Sequence, residues 1–69
     1  MSIFKIIIRV WSSEETFVSW FNTFKNANAY GDEMYSAYSV GTEEFMIACH
    51  EYKAGKRGEF VHLTCRKVW

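Results

Sequence analysis

Polar and apolar positions alternate along the start of the chain. Phe4, Ile6, Ile8 and Val10 share one parity, and Ile3, Lys5, Ile7, Arg9 and Trp11 the other. A period of two in a β-branched stretch predicts a strand over 3–11, ended by Ser12-Ser13. Beyond it the spacing changes. Phe17, Trp20, Phe21, Phe24 and Ala27 fall at i, i+3, i+4, i+7 and i+10, one stripe of a helix of about four turns. Ser12-x-x-Glu15 reads as its capping box, and Asn26, Asn28 and Gly31 as stop signals that end it near residue 29. Residues 34–40, with two tyrosines and a valine between Gly31-Asp32 and Gly41-Thr42, read as a second strand. Residues 45–53 and 59–68 read as two more, joined by the glycine-bearing loop 54–58. The predicted order is β-α-β-β-β across one small domain, residues 1–69. The class is α+β, a four-stranded, mainly antiparallel sheet with one helix packed on one face.

Register decides which side chains meet. Setting His50 opposite His62 gathers Phe45, Ile47 and Cys49 with Val61, Leu63 and Cys65 on one face. A slip by one residue would bury His62, Thr64 and Arg66, at about 1–3 kcal/mol for each unpaired polar group. The first register is therefore expected, with Phe4, Ile6, Ile8 and Val10 on the same face under the helix stripe. The opposite face then carries Ile3, Lys5, Ile7, Arg9, Trp11, Met46, His50, Tyr52, Phe60, His62, Thr64 and Arg66. A single helix covers only one face of such a sheet, so this aromatic, cation-bearing surface is left uncovered. Exposed apolar surface of that kind marks an interaction site.

Composition narrows the class further. The chain has 69 residues, three Trp, four Tyr and six Phe, and as many acidic as basic side chains. A 49% hydrophobic chain without net charge is not disordered, and neutrality argues against a general polyanion binder. Ile3–Val10 is interrupted by Lys5 and Arg9 and lacks a cleavage site, so it is not a secretory signal. No run reaches the roughly 18 apolar residues of a membrane span. Two cysteines are too few for a disulfide scaffold, and the expected localisation is cytoplasmic. Charge is nonetheless segregated: residues 14–44 hold six acids and Lys25, whereas 53–69 hold five bases and Glu59.

Candidate chemistry is sparse. Cys49-His50 and His62/Cys65 are odd separations within strands, which puts each pair on opposite faces and disfavours a nucleophile–base dyad. Both cysteines read as small buried hydrophobes, diagonal neighbours too far apart for a disulfide. His50 facing His62 supplies two metal ligands where a zinc site needs three or four. Gly55-Lys56-Arg57-Gly58 lacks the spacing and the following helix of a phosphate loop. The acidic pairs Asp32-Glu33 and Glu43-Glu44 read as solvated loop charges. No enzyme activity, metal or cofactor is expected.

The expected function is stoichiometric protein–protein binding, as an inhibitor or adaptor. Trp11, Arg9, Tyr52, Phe60, His62 and Arg66 form the surface, and Lys53, Lys56, Arg57, Arg66 and Lys67 select the partner. The size and type of the chain suggest an inhibitor of the sort phages carry against host defence, with a component of a nucleic-acid-processing complex as target. The alternative is RNA or single-stranded DNA bound on the open face, where aromatics stack bases beside Lys and Arg. A homodimer with the two open faces packed together would also cover the apolar residues. No membrane partner is expected.

Overall fold

The computed structural model describes residues 1–69. Its elements run β1 (Ser2–Val10), β2 (Glu15–Phe21), α1 (Phe24–Ser39), β3 (Phe45–Ala54) and β4 (Phe60–Val68). All pairings are antiparallel, in the spatial order β2-β1-β3-β4. The α+β class, the four-stranded sheet and the single helix on one face stand as expected. The element order is corrected from β-α-β-β-β to β-β-α-β-β.

The correction has a local cause. Glu15–Phe21 reads ETFVSWF, five of its seven residues β-branched or aromatic, and it pairs along its whole length with β1, from Val10↔Glu15 to Phe4↔Phe21. The helix begins later, where the Thr23 hydroxyl accepts the Asn26 amide at 3.2 Å, and the Ser12 capping box is not used. It runs through residues 34–40 almost to their end, where a strand was expected. Its buried stripe is Phe24, Ala27, Gly31, Met34 and Tyr38, spaced three and four apart. Gly31 is thus not a stop signal.

The core lies between α1 and the helix-side, or inner, face of β1 and β3. Phe4, Ile6, Ile8 and Val10 from β1 meet Ile47 and Cys49 from β3 and Ala27 from the helix. Rings close its margins: Phe4 against Phe24, Phe21 against Tyr30, and Tyr38 against Phe45. The expected core set is right for β1 and β3 and wrong for β4. Val61, Leu63 and Cys65 are exposed, because β4 lies at the sheet edge beyond the helix and carries two register shifts. Each bulge turns the following residues to the other face.

The tail of β4 reaches the helix differently. Trp69 Nε1 donates to Asp32 Oδ1 at 2.7 Å, Lys67 Nζ donates to Asn28 Oδ1 at 2.7 Å, and the Trp69 ring lies flush against Gly31. A β-carbon at Gly31 would collide with Cζ2 of the Trp69 ring. Glycine is there for the ring, despite its cost within a helix.

That packing predicts a sign reversal. Gly31→Ala should destabilise by a net amount on the order of 1 kcal/mol, since overpacking costs about 1–3 kcal/mol and the helix gains about 1. In a Trp69→Ala background the same change should stabilise by about 0.5–1 kcal/mol. Urea unfolding of the four proteins of this cycle measures both; the same sign in both backgrounds would contradict the contact.

Candidate functional site

The face away from the helix is built by alternation. Pairing Ile3↔Tyr52, Lys5↔His50, Ile7↔Ala48 and Arg9↔Met46 places these residues together on the outer face. From β2, Trp20 lies beside Lys5, Val18 beside Ile7 and Thr16 beside Arg9. From β4, Phe60 pairs with Ala54, His62 with Tyr52, Cys65 with His50 and Val68 with Ala48. The two acids within strands, Glu15 and Glu51, have inner-face parity, opposite Val10 and Phe4. No carboxylate of the sheet therefore projects on the outer face, while Lys5 and Arg9 do.

Aromatic rings gather at one end of this face. Trp20 packs against Tyr52 at 5.4 Å and against Phe60 at 5.8 Å, so rings from β2, β3 and β4 meet across the full width of the sheet. Lys5 Nζ sits beneath them, 5.0 Å from the Tyr52 ring centroid and 5.8 Å from that of Trp20. Both distances fall within the range of a cation–π contact. Trp20 is 49% and Phe60 52% exposed, and no segment of the chain lies over them.

The histidines extend the cluster. His50 Nδ1 and His62 Nε2 are 3.0 Å apart, one donating to the other, and the His62 ring packs on Tyr52. The expected direct opposition is corrected: the bulges set His62 against Tyr52 and His50 against Cys65, and the rings meet diagonally. Burial, then the neighbouring His62 and Lys5, hold the His50 pKa below its ordinary value. Of the two cysteines only Cys65 is re-placed; Cys49 stands as expected. Cys49 is buried on the inner face, where burial pushes its thiol pKa up, and Cys65 is exposed on the outer face. Both are free thiols. The Cys65 thiol points along its own strand, 3.9 Å from the Lys67 carbonyl. No cluster of three or more metal-binding side chains occurs.

The sequence-predicted set divides in four. Arg9, Tyr52, Phe60 and His62 lie on the outer face as expected. Trp11 lies just beyond the opposite end of β1, where it lines an open depression of about 440 Å³ with Ser12, Thr42, Glu43 and Glu44. Lys53, Lys56 and Arg57 stand exposed in and beside the β3–β4 hairpin. Arg66 is corrected: the second bulge turns it to the helix side, where Lys67, paired with Cys49, also lies. Arg66 Nη1 donates to Glu51 Oε1 at 2.8 Å, and its guanidinium lies 4.4 Å from the Phe24 centroid. That hydrogen bond, with one from Ser2, lowers the Glu51 pKa. Trp69 first, then Lys67, lowers that of Asp32. Trp20 was missed because its segment reads as a helix. Its signal was the β-branched and aromatic density of Glu15–Phe21.

Comparison with protein-family models, curated proteins and solved structures finds no match to this chain.

The histidine pair predicts an acid sensitivity. With its folded pKa lowered, His50 takes up a proton in the unfolded chain before it does so in the folded one. Stability should then fall as pH drops through the ordinary histidine value near 6.5, and level off below the folded pKa. Asp32 and Glu51, shifted down, contribute stability that is lost only at lower pH, from the ordinary carboxylate range down through their lowered folded values. Thermal unfolding from pH 8 to pH 5 should show the loss, and His50→Gln should remove the histidine part of it. An unchanged profile in that variant would contradict the assignment.

Proposed function

We propose that this protein is a non-enzymatic binding module that acts by stoichiometric docking of a protein partner, as an inhibitor or adaptor, on its outer sheet face. The observation that carries the reading is the Trp20–Tyr52–Phe60 cluster: rings from three strands, Trp20 and Phe60 half exposed, on the face opposite the helix. Large aromatics flanked by cations are the residues that dominate binding energy at protein interfaces. The rings pack against one another at tilted and edge-on angles, which presents a ridge of edges. Such a ridge suits a complementary apolar surface better than a stack of parallel bases. Lys5 and Arg9, without a carboxylate on their face, favour a partner that brings acidic side chains. Free thiols fit a reducing, cytoplasmic setting for this activity. No helix is long and apolar enough to cross a membrane.

One observation favours a second reading. The same lack of carboxylates, with Lys5 and Arg9 beside exposed rings, suits single-stranded nucleic acid.

The test separates the two. Tyr52→Ala and Phe60→Ala together should abolish capture of a stoichiometric protein from nuclease-treated extract, and Val40→Ala, at an exposed helix end, should leave it intact. Each ring truncated alone should weaken binding at least about tenfold, the scale of a hot-spot residue. Binding to a labelled single-stranded oligonucleotide that collapses between roughly 50 and 200 mM salt would support the second reading instead. Capture that survives the double variant would remove the outer face from the account.

A further inference from the structure

The two edges of the sheet differ. β4 shifts register twice against β3, and residues toward its end, Arg66 and Lys67, are drawn to Glu51, Asn28 and Asp32 on the helix side. Bulges and edge charges of this kind block the addition of another strand. β2 has none of these features. It pairs with β1 over Glu15–Phe21 without irregularity, contains no proline, lysine or arginine, and bears one charge, Glu15, at its first position. Its outward backbone groups have no partner strand.

β2 is also apolar on both faces. Phe17, on the inner face, is 43% exposed, and Val18 and Trp20, on the outer face, are each 49% exposed. A partner lying on the outer face alone would leave Phe17 in water, and one lying over the helix would leave Val18 and Trp20. A strand that continues the sheet covers all three.

We propose that the protein self-associates through β2, a second copy adding its own β2 antiparallel to the free edge, so that the two sheets become one. In the register centred on Ser19, Phe17 faces Phe21 of the second copy and Val18 faces its Trp20. These are the aromatic–aromatic and aromatic–β-branched pairs that stabilise antiparallel strands. This register preserves parity, so the outer faces of the two copies form one surface. Glu15 falls beyond the paired residues, and no like charges meet. The two-fold arrangement closes on itself as a dimer. Packing the outer faces against each other would instead bring Lys5 and Arg9 of both copies together with no carboxylate between them. The inference goes beyond the proposed binding function and rests on a different element, Trp20 alone being shared.

Sedimentation equilibrium tests it. The wild-type chain should have the mass of a dimer. Val18→Lys should halve that mass while keeping the wild-type circular dichroism, and Phe60→Ala should remain dimeric. Phe17→Lys carries the same expectation as Val18→Lys and serves if the latter fails to fold. Hydrogen exchange should show the β2 amides that point away from β1 protected in wild type and released in the monomeric variant. A wild-type monomer at the highest concentration reached in NMR would overturn the proposal. So would a dimer that survives Val18→Lys and Phe17→Lys but is lost in Phe60→Ala. The last result would place the interface on the outer face.

Discussion

The close seating of α1 on β1 and β3 is the contact on which the rest of the molecule depends. An α-helix with its side chains is about 10–12 Å across, whereas strands lie about 4.8 Å apart, so one helix covers two strands well and a third in part. Ala27 and Gly31, four residues apart, bring it down onto the sheet, and the buried hydrophobic residues accordingly belong to β1, β3 and the helix. β2 and β4 are left as edges. The sheet's inner margin is then closed by other means: Phe21 against Tyr30 on one side, and Arg66, Lys67 and Trp69 reaching the helix or its flank on the other. With the helix committed to one face, the other face has only its own side chains to cover it.

Those side chains do part of that task. Ala48 has outer-face parity yet is only 3% exposed, because it lies between Ile7 and Val68 in register. Trp20, Tyr52 and Phe60 meet over Lys5 and leave Trp20 and Phe60 about half exposed to water. Aromatic pairs of this geometry contribute about 0.5–1.5 kcal/mol beyond the area they bury. The cluster is therefore pre-assembled in the free protein. A partner docking on it would lose less side-chain freedom than one that had to order loose rings.

The class of the fold and the environment of β1 and β3 were legible because their alternation is strict over many residues. Residues 13–40 were not, for reasons specific to their spacing. Phe17 and Phe21 are four apart, a separation that keeps one face in a helix and the same parity in a strand. The Ser12–Glu15 pair imitates a capping box, whereas Thr23, the residue that caps α1, has no glutamate three positions on. Gly31 reads as a terminator until Trp69, distant in sequence, is seen lying on it. In β4 the two bulges are invisible to any argument from parity. They reverse Arg66 and Cys65 from their expected faces and move His50 off His62 in register, although the imidazoles still meet. Arg9, Tyr52, Phe60 and His62 were legible as one surface, since none depends on residues beyond the second bulge. Trp20 was hidden by the misread segment.

The placement of charge follows from the same geometry. Glu51 and Asp32 lie on the helix side, and two cations of β4 meet them there: Arg66, which the second bulge turns inward, and Lys67, which has inner-face parity. Charge on that side is largely neutralised within the chain. Lys5 and Arg9 have no such counter-ion on the outer face; Lys5 is instead held by the Tyr52 and Trp20 rings, which stabilise a cation without neutralising it. An anionic group approaching the outer face consequently meets cations that no internal carboxylate competes for, framed by apolar rings. In the docking proposed above, opposite charge there would steer the encounter and set its register, while the rings would supply the area. A basic partner of the same shape would meet those cations with nothing to offset them, so the bulges that bind the end of β4 to the helix side also sharpen what the other face can accept.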